Sequence, residues 1–483
     1  MKRYLGIIFL FVGMLNMYAA DITSSLDITV PPLVDGVYPH KRRAVFIEQN
    51  FLIKNIEQDS IRFSIDPNNT FATFLLSKWE SYNEGTLQDD SFGKIIDFFQ
   101  FKVVVNGVDQ SKQIHFSNGK LTIPVNLKKK CQQIKIHYRY IHNHSQFYAG
   151  IPTRPTAQFA RTDYCNDYPN KTWYFNADSI SWEYVKIHVP HNENLEILSN
   201  YKLRYQNYTY HFDFAHSVDD ELTFFIVEKD YWLKKSISNE HTKLNFCTQK
   251  YFDIDTLTWN PINVTSPSEE QLGKDAQATL ELCEQIRSFF NDSTDKTFDV
   301  FKCKYTGGGF VNNNKNNRYL VCYDSIFWDK YISMMPHEYF HCFMQYPQDR
   351  DSMYYFFAES MTVFGTLCIG YINGTLTEND NIEYWMQMYG TYLSQAKEVS
   401  ETPIINIDYG CRVATDVIYY KGPYMIYLFT KRIGLDNFID ILRRYYVYIR
   451  ENSMYVTLEN FEAFFKQNGV SDADWEYFVS LLS

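Results

Sequence analysis

Along the first half of the chain, apolar residues alternate with polar ones; along the second half they recur at intervals of three and four. Ala44-Val45-Phe46-Ile47, Ile61-Arg62-Phe63-Ser64-Ile65, Phe101-Lys102-Val103-Val104-Val105 and Ile134-Lys135-Ile136-His137-Tyr138 predict short strands between about residues 25 and 250. Trp182 to Val189 alternates faces and stops at Pro190. Asn106-Gly107 and Asn118-Gly119 stand between such runs, and this dipeptide favours the tight turn of a hairpin. An all-β region follows, a sandwich or saddle of packed sheets.

The period changes near residue 265. Thr265-Ser266-Pro267-Ser268-Glu269-Glu270 has the composition of a linker running into a helix start. Leu272, Ala276, Leu280, Cys283, Ile286 and Phe290 then repeat at helical spacing. Strands are expected around 297–305 and 319–323, with a glycine turn at Gly307-Gly308-Gly309 between them. Asn312 to Asn317 is rich in asparagine and is expected to be a loop. From about residue 328 onward the pattern is helical, and Ser471 with Asp474 has the arrangement of a helix cap. The expected fold class is α+β and multidomain. Residues 1–20 are expected to form a signal peptide, 21–265 a β-rich domain, 266–400 a second, α+β domain, and 401–483 its helical carboxy-terminal part.

Composition narrows the partners. At 483 residues the chain exceeds one compact core, and 45% hydrophobic with 21% charged residues is an ordinary globular balance. The net charge of -11 argues against nucleic acid, which needs clustered Lys and Arg. Lys2 and Arg3 precede a short apolar run from Tyr4 to Leu15, and Ala19-Ala20 supplies small residues at a cut. That run is too short to span a bilayer, and no later stretch is long and apolar enough. The expectation is therefore a protein secreted or periplasmic, with no transmembrane segment in the mature chain. Nine cysteines are compatible with that route, but they show no paired spacing of the kind that binds metal.

The chemistry concentrates in His337-Glu338-Tyr339-Phe340-His341. On a helix, residues four apart share a face, so both imidazoles reach one ion. Zinc takes neutral imidazole nitrogen readily and, in a hydrolytic site, needs a third protein ligand beside an open position. A glutamate next to the first histidine stands where it can take a proton from activated water. The third ligand is sought in Phe356-Phe357-Ala358-Glu359-Ser360-Met361-Thr362-Val363-Phe364-Gly365, an apolar run with one carboxylate. A lone Glu in such a helix needs a partner, and a metal supplies one. One zinc per chain on His337, His341 and Glu359 is the expected cofactor.

This combination resembles the gluzincin aminopeptidases, the family of aminopeptidase N and leukotriene hydrolase, with the glycyl aminopeptidases as near relatives. Glu359-Ser360-Met361-Thr362 is similar to the family's Glu-x-x-Thr helix, at a spacing from the histidines one residue shorter than usual. Tyr419-Tyr420-Lys421-Gly422 resembles its Tyr-x-Lys-Gly segment. The resemblance implies a thermolysin-like catalytic domain and gives Tyr419 the role of hydrogen-bond donor to the oxyanion, with Tyr420 as the fallback. It also implies that Gly307, Gly308 and Gly309 lie on a glycine-rich edge strand that pairs with substrate backbone. The family's aminopeptidases follow those glycines with a glutamate that grips the free amino group. Here Phe310, Val311 and Asn312 follow instead.

The expected activity is hydrolysis of peptide bonds by zinc-activated water, aminopeptidase-like, on a peptide or protein substrate, with Glu338 as general base and then acid. Three other readings stand beside it. A pseudo-peptidase or extracellular binding protein would keep the zinc site as structure. The tyrosine-rich β region would suit an adhesin or glycan-binding protein. A zinc hydrolase could also act on a non-peptide substrate.

Overall fold

The computed structural model describes residues 21–29, 44–64, 100–117, 120–141, 157–160, 163–165, 168–171, 175–177, 180–189, 195–199, 201–213, 224–229, 232–254, 261–303, 309–313, 317–324, 334–344, 353–376, 381–407 and 411–483. The apolar run before Ala20, the Asn118-Gly119 turn, Gly307 and Gly308 lie outside them. Among the described residues no helix is long and apolar enough to cross a membrane. Two compact units divide the chain: Met1–Trp232 with Lys250–Ser266, and Leu233–Gln249 with Pro267–Ser483.

The first unit is built on an eight-stranded sheet. Its strands run in the order Leu203–Gln206, Thr209–Phe212, Ile180–His188, Asp21–Thr29, Ala44–Lys54, Cys131–Ile141, Lys102–Val105, Val108–Asp109. Neighbours are antiparallel except Asp21–Thr29 and Ile180–His188, which run parallel. Val185 and Ile187 are buried while His188 is exposed, so the two-residue period of the sequence becomes the two faces of the sheet. Asn106 and Gly107, at φ of 51° and 84°, make the tight turn between Lys102–Val105 and Val108–Asp109. A three-stranded sheet of Ser60–Ser64, Lys120–Pro124 and His115–Ser117 shares the core. There the Phe51 and Phe63 rings lie 4.3 Å apart.

The second unit carries a five-stranded sheet of β1 (Trp232–Ser238), β2 (Thr242–Gln249), β3 (Lys296–Cys303), β4 (Gly309–Asn313) and β5 (Arg318–Asp324). Their order is β1-β2-β3-β5-β4, with β2, β3 and β5 parallel and β4 an antiparallel edge. Helix α1 (Glu269–Phe289) starts at the cap formed by Ser268, whose Oγ accepts from the Gln271 amide, and packs on β2. Helices α2 (Met334–His341), α3 (Met361–Ile372), α4 (Ile382–Gln395), α5 (Lys397–Glu401), α6 (Ala414–Asp416), α7 (Gly422–Ile433), α8 (Leu435–Glu451), α9 (Leu458–Gln467) and α10 (Asp472–Leu482) follow. Ser471 caps α10 by accepting from the Asp474 amide at 3.1 Å. Among the described residues there are also two short π-helical turns, Phe356–Ser360 before α3 and Val417–Lys421 before α7.

The two-part layout, β-rich first and helical last, matches the expected architecture. Two details differ. The hairpin β1–β2 precedes residue 266, yet its strands belong to the second unit's sheet, because a strand's local pattern carries no record of the sheet it joins. Asn312 and Asn313, expected in a loop, end β4 and pair with Leu320 and Tyr319 of β5.

Candidate metal centre

Helix α2 sorts its residues by face. Tyr339, Phe340 and Cys342 are buried, and His337 and His341, four apart, are half-buried on one side. The Phe340 ring anchors the helix, with its centroid 4.9 Å from that of Phe290 and 6.3 Å from that of Tyr446. Gly365 on α3 makes room for it: a Cβ at 365 would stand 2.3 Å from Phe340 Cζ. Close approach of α2 and α3 follows. Glu359 lies just ahead of α3 in the first π-turn, which is closed by the Met361 amide donating to the Phe356 carbonyl. One extra residue in a helical turn rotates what precedes it by roughly 100°. Between the buried residues Ala358 and Ser360, Glu359 is left half-buried.

Three ligand-type atoms converge here. His337 Nε2 is 3.0 Å from Glu359 Oε2 and 3.0 Å from His341 Nε2, and His341 Nε2 is 3.6 Å from Glu359 Oε2. Among the described residues, these three form the one group of His, Cys, Asp and Glu able to hold a metal. Ligands 2.0–2.1 Å from a tetrahedral zinc stand roughly 3.3 Å apart, so both the spacing and the donor set of two imidazoles and a carboxylate fit that ion. Thr362 adds a further constraint. Its hydroxyl donates to the Ala358 carbonyl at 2.6 Å and lies 3.4 Å from His341 Nδ1. With the threonine proton so engaged, the hydroxyl accepts from Nδ1–H, which leaves Nε2 as the lone-pair nitrogen.

Charge within the cluster is strongly coupled. Burial alone would raise the Glu359 carboxyl, but His341 and His337 hold it well below the ordinary carboxylate range. Burial pulls His337 down, yet its hydrogen bond to Glu359 and the charges of Glu359 and Glu338 leave it raised overall. His341 is lowered, by burial first and by its like neighbour His337. Glu338 is 6% exposed, and its charge acts on His337 beside it in the chain.

Tyr419 reaches the cluster from the second π-turn. Its hydroxyl donates to Glu359 Oε2 at 2.9 Å, and its ring centroid lies 5.9 Å from that of His337. Tyr420 points elsewhere: it is 38% exposed and packs against Tyr389 and Tyr392. The structure thus brings His337, His341, Glu359 and Tyr419 together, with Glu338 adjacent. Gly309 begins the edge strand β4, opposite Tyr323 on β5, and α2 packs on both strands. Thr362 is a site residue to which no role was given from sequence, although the Glu-x-x-Thr pattern contained it.

No protein-family model matches the chain, and no curated protein matches it. Solved structures do. An M1 zinc metallopeptidase from Deinococcus radiodurans aligns at 10% identity with a TM-score of 0.52, over 96% of this chain and 94% of that one. A mutant of that metallopeptidase has been solved bound to a Tyr-Ser-Ala substrate. An aminopeptidase N family protein from Idiomarina loihiensis aligns at 12% identity and TM-score 0.58, over 94% and 75% of the two chains. Aminopeptidase A from Legionella pneumophila, in complex with aspartic acid, aligns at 13% and 0.53, over 96% of this chain and 50% of that one. The chain has the multidomain fold of these zinc metallopeptidases.

Proposed function

We propose that the chain is an exported zinc-dependent peptidase, aminopeptidase-like in architecture, that hydrolyses peptide bonds. One observation carries the proposal: two imidazole nitrogens, a carboxylate oxygen and a phenol meet within hydrogen-bonding distance on α2 and the two π-turns. The fold shared with zinc metallopeptidases supports it.

His337, His341 and Glu359 would hold the zinc, which when bound would supply a Lewis acid and lower the pKa of water towards neutrality. Glu338 accepts the proton of the attacking water and returns it to the leaving amine. Tyr419, whose hydroxyl now donates to Glu359, turns that proton to the carbonyl oxygen as it gains charge. The β4 edge offers main-chain groups to an extended peptide. Phe310, Val311 and Asn312 on β4 supply no carboxylate for a free amino terminus, so where the enzyme cuts is decided by experiment. The residues before Asp21 support export, since their charged start, apolar run and Ala19-Ala20 have the order of a cleaved signal.

The test is hydrolysis of a mixed peptide library by residues 21–483, with and without chelator, read by mass spectrometry. Chelator-sensitive release of single amino-terminal residues is expected; internal cuts would make the protein an endopeptidase. No cleavage by protein carrying one zinc per chain would overturn the proposal in favour of a binding protein or a non-peptide substrate.

A further inference from the structure

Glu359 and Tyr419 each stand in a π-turn, and the two turns pack against each other. In the second turn the Gly422 amide donates to the Val417 carbonyl, five residues back. The next carbonyl, that of Ile418, would take its donor from residue 423. That residue is proline and has no N–H. The Ile418 carbonyl therefore has no main-chain donor within its own helix. The Ser360 hydroxyl, fully buried, donates to it at 2.6 Å. Gly422 permits this approach, because a Cβ there would lie 2.0 Å from Ser360 Oγ and 2.5 Å from Ser360 Cβ.

The turns are thus joined at two consecutive positions: Ser360 to Ile418 through side chain and backbone, and Tyr419 to Glu359 through side chains. We infer that Ser360, seated against Gly422, is a positioning residue that fixes the separation of Glu359 and Tyr419; its kinetic consequence rests on the peptidase proposal above. A buried serine that merely satisfies a carbonyl would stabilise the fold without acting through Tyr419. Coupling to Tyr419 separates the two cases.

Two measurements test the inference. In zinc-loaded Ser360→Ala, kcat on a cleaved library peptide should fall between about 10- and 100-fold with KM little changed. In a Tyr419→Phe background the same substitution should cost less than about twofold, because the group it positions is already gone. Equal losses in both backgrounds, or none in either, would overturn it. The second measurement needs no turnover: zinc affinity by chelator competition. Gly422→Ala should weaken zinc by roughly 10-fold or more by displacing the turn that carries Glu359. Adding Ser360→Gly, which removes both atoms the new methyl meets, should restore most of the loss. Wild-type affinity in Gly422→Ala, or loss without restoration while the double variant melts like wild type, would contradict the inference. If wild-type protein binds zinc but cleaves no peptide, the peptidase proposal fails, and the affinity series still decides whether the seat of Ser360 against Gly422 sets the place of Glu359.

Discussion

At the scale of the residue, Glu338 separates catalysis from metal binding. It is buried next to His337 but is not among the three groups whose ligand atoms converge. Replacing it by Gln keeps shape and volume and removes the basic oxygen. Glu338→Gln should bind one zinc per chain and lose about 10²–10⁴-fold in turnover, the usual worth of a general base. Zinc content by atomic absorption beside peptide turnover checks this, and undiminished turnover would exclude Glu338 from the reaction. The convergence of His337, His341 and Glu359 was legible from sequence because these residues obey spacing and solvation rules. Two histidines four apart share a helix face, and a lone Glu in an apolar run calls for a partner. Ser360 was not legible: its partner is a carbonyl 58 residues away, orphaned by a proline, and nothing local marks that link.

At the scale of the element, helix pairs are set by the smallest residue between them. Gly365 lies under the Phe340 ring, and that ring is enclosed by Phe289, Phe290 and Tyr446. A methyl at 365 would lie 2.3 Å from Phe340 Cζ, a clash that a fully buried ring has little room to relieve. Gly365→Ala should cost about 1–3 kcal/mol of stability by overpacking. The same substitution shifts α2, which carries both histidines, so zinc affinity should fall with it. Denaturant unfolding and chelator competition read the two effects, and wild-type values in both would mean the α2–α3 contact yields freely. The helices were legible through their 3.6-residue period. The π-turns were not, because one extra residue within a helix leaves the apolar pattern on either side intact. They are nonetheless what turns Glu359 and Tyr419 towards each other.

At the scale of the whole molecule, the hydrophobic period changes near residue 265 and the second unit resumes at Pro267, while the β1–β2 hairpin, earlier in the chain, pairs into that unit's sheet, a membership the period does not carry. Sheet membership is a long-range property: β2 pairs with β3 across a gap that contains all of α1. Each unit has its own core, one around Phe51, Phe63 and Ile136, the other around Phe340, Phe429 and Trp475. All three residues of the candidate metal cluster fall in the second. A ligand that binds only the folded form stabilises it by mass action, by about 4 kcal/mol at a thousandfold excess over Kd. For a unit of this size each kcal/mol moves the midpoint by about 2–4 °C, so removing zinc should lower one transition by roughly 8–16 °C. Scanning calorimetry of zinc-loaded and chelator-treated protein should therefore show two transitions, of which only the one belonging to the helical unit moves. Limited proteolysis near the midpoint assigns each transition, since fragments from residues 267–483 should be lost first in the chelated sample. Movement of both transitions together would mean that the two cores unfold as one cooperative system. Movement of neither would mean that the His337, His341 and Glu359 cluster does not hold a stabilising ion.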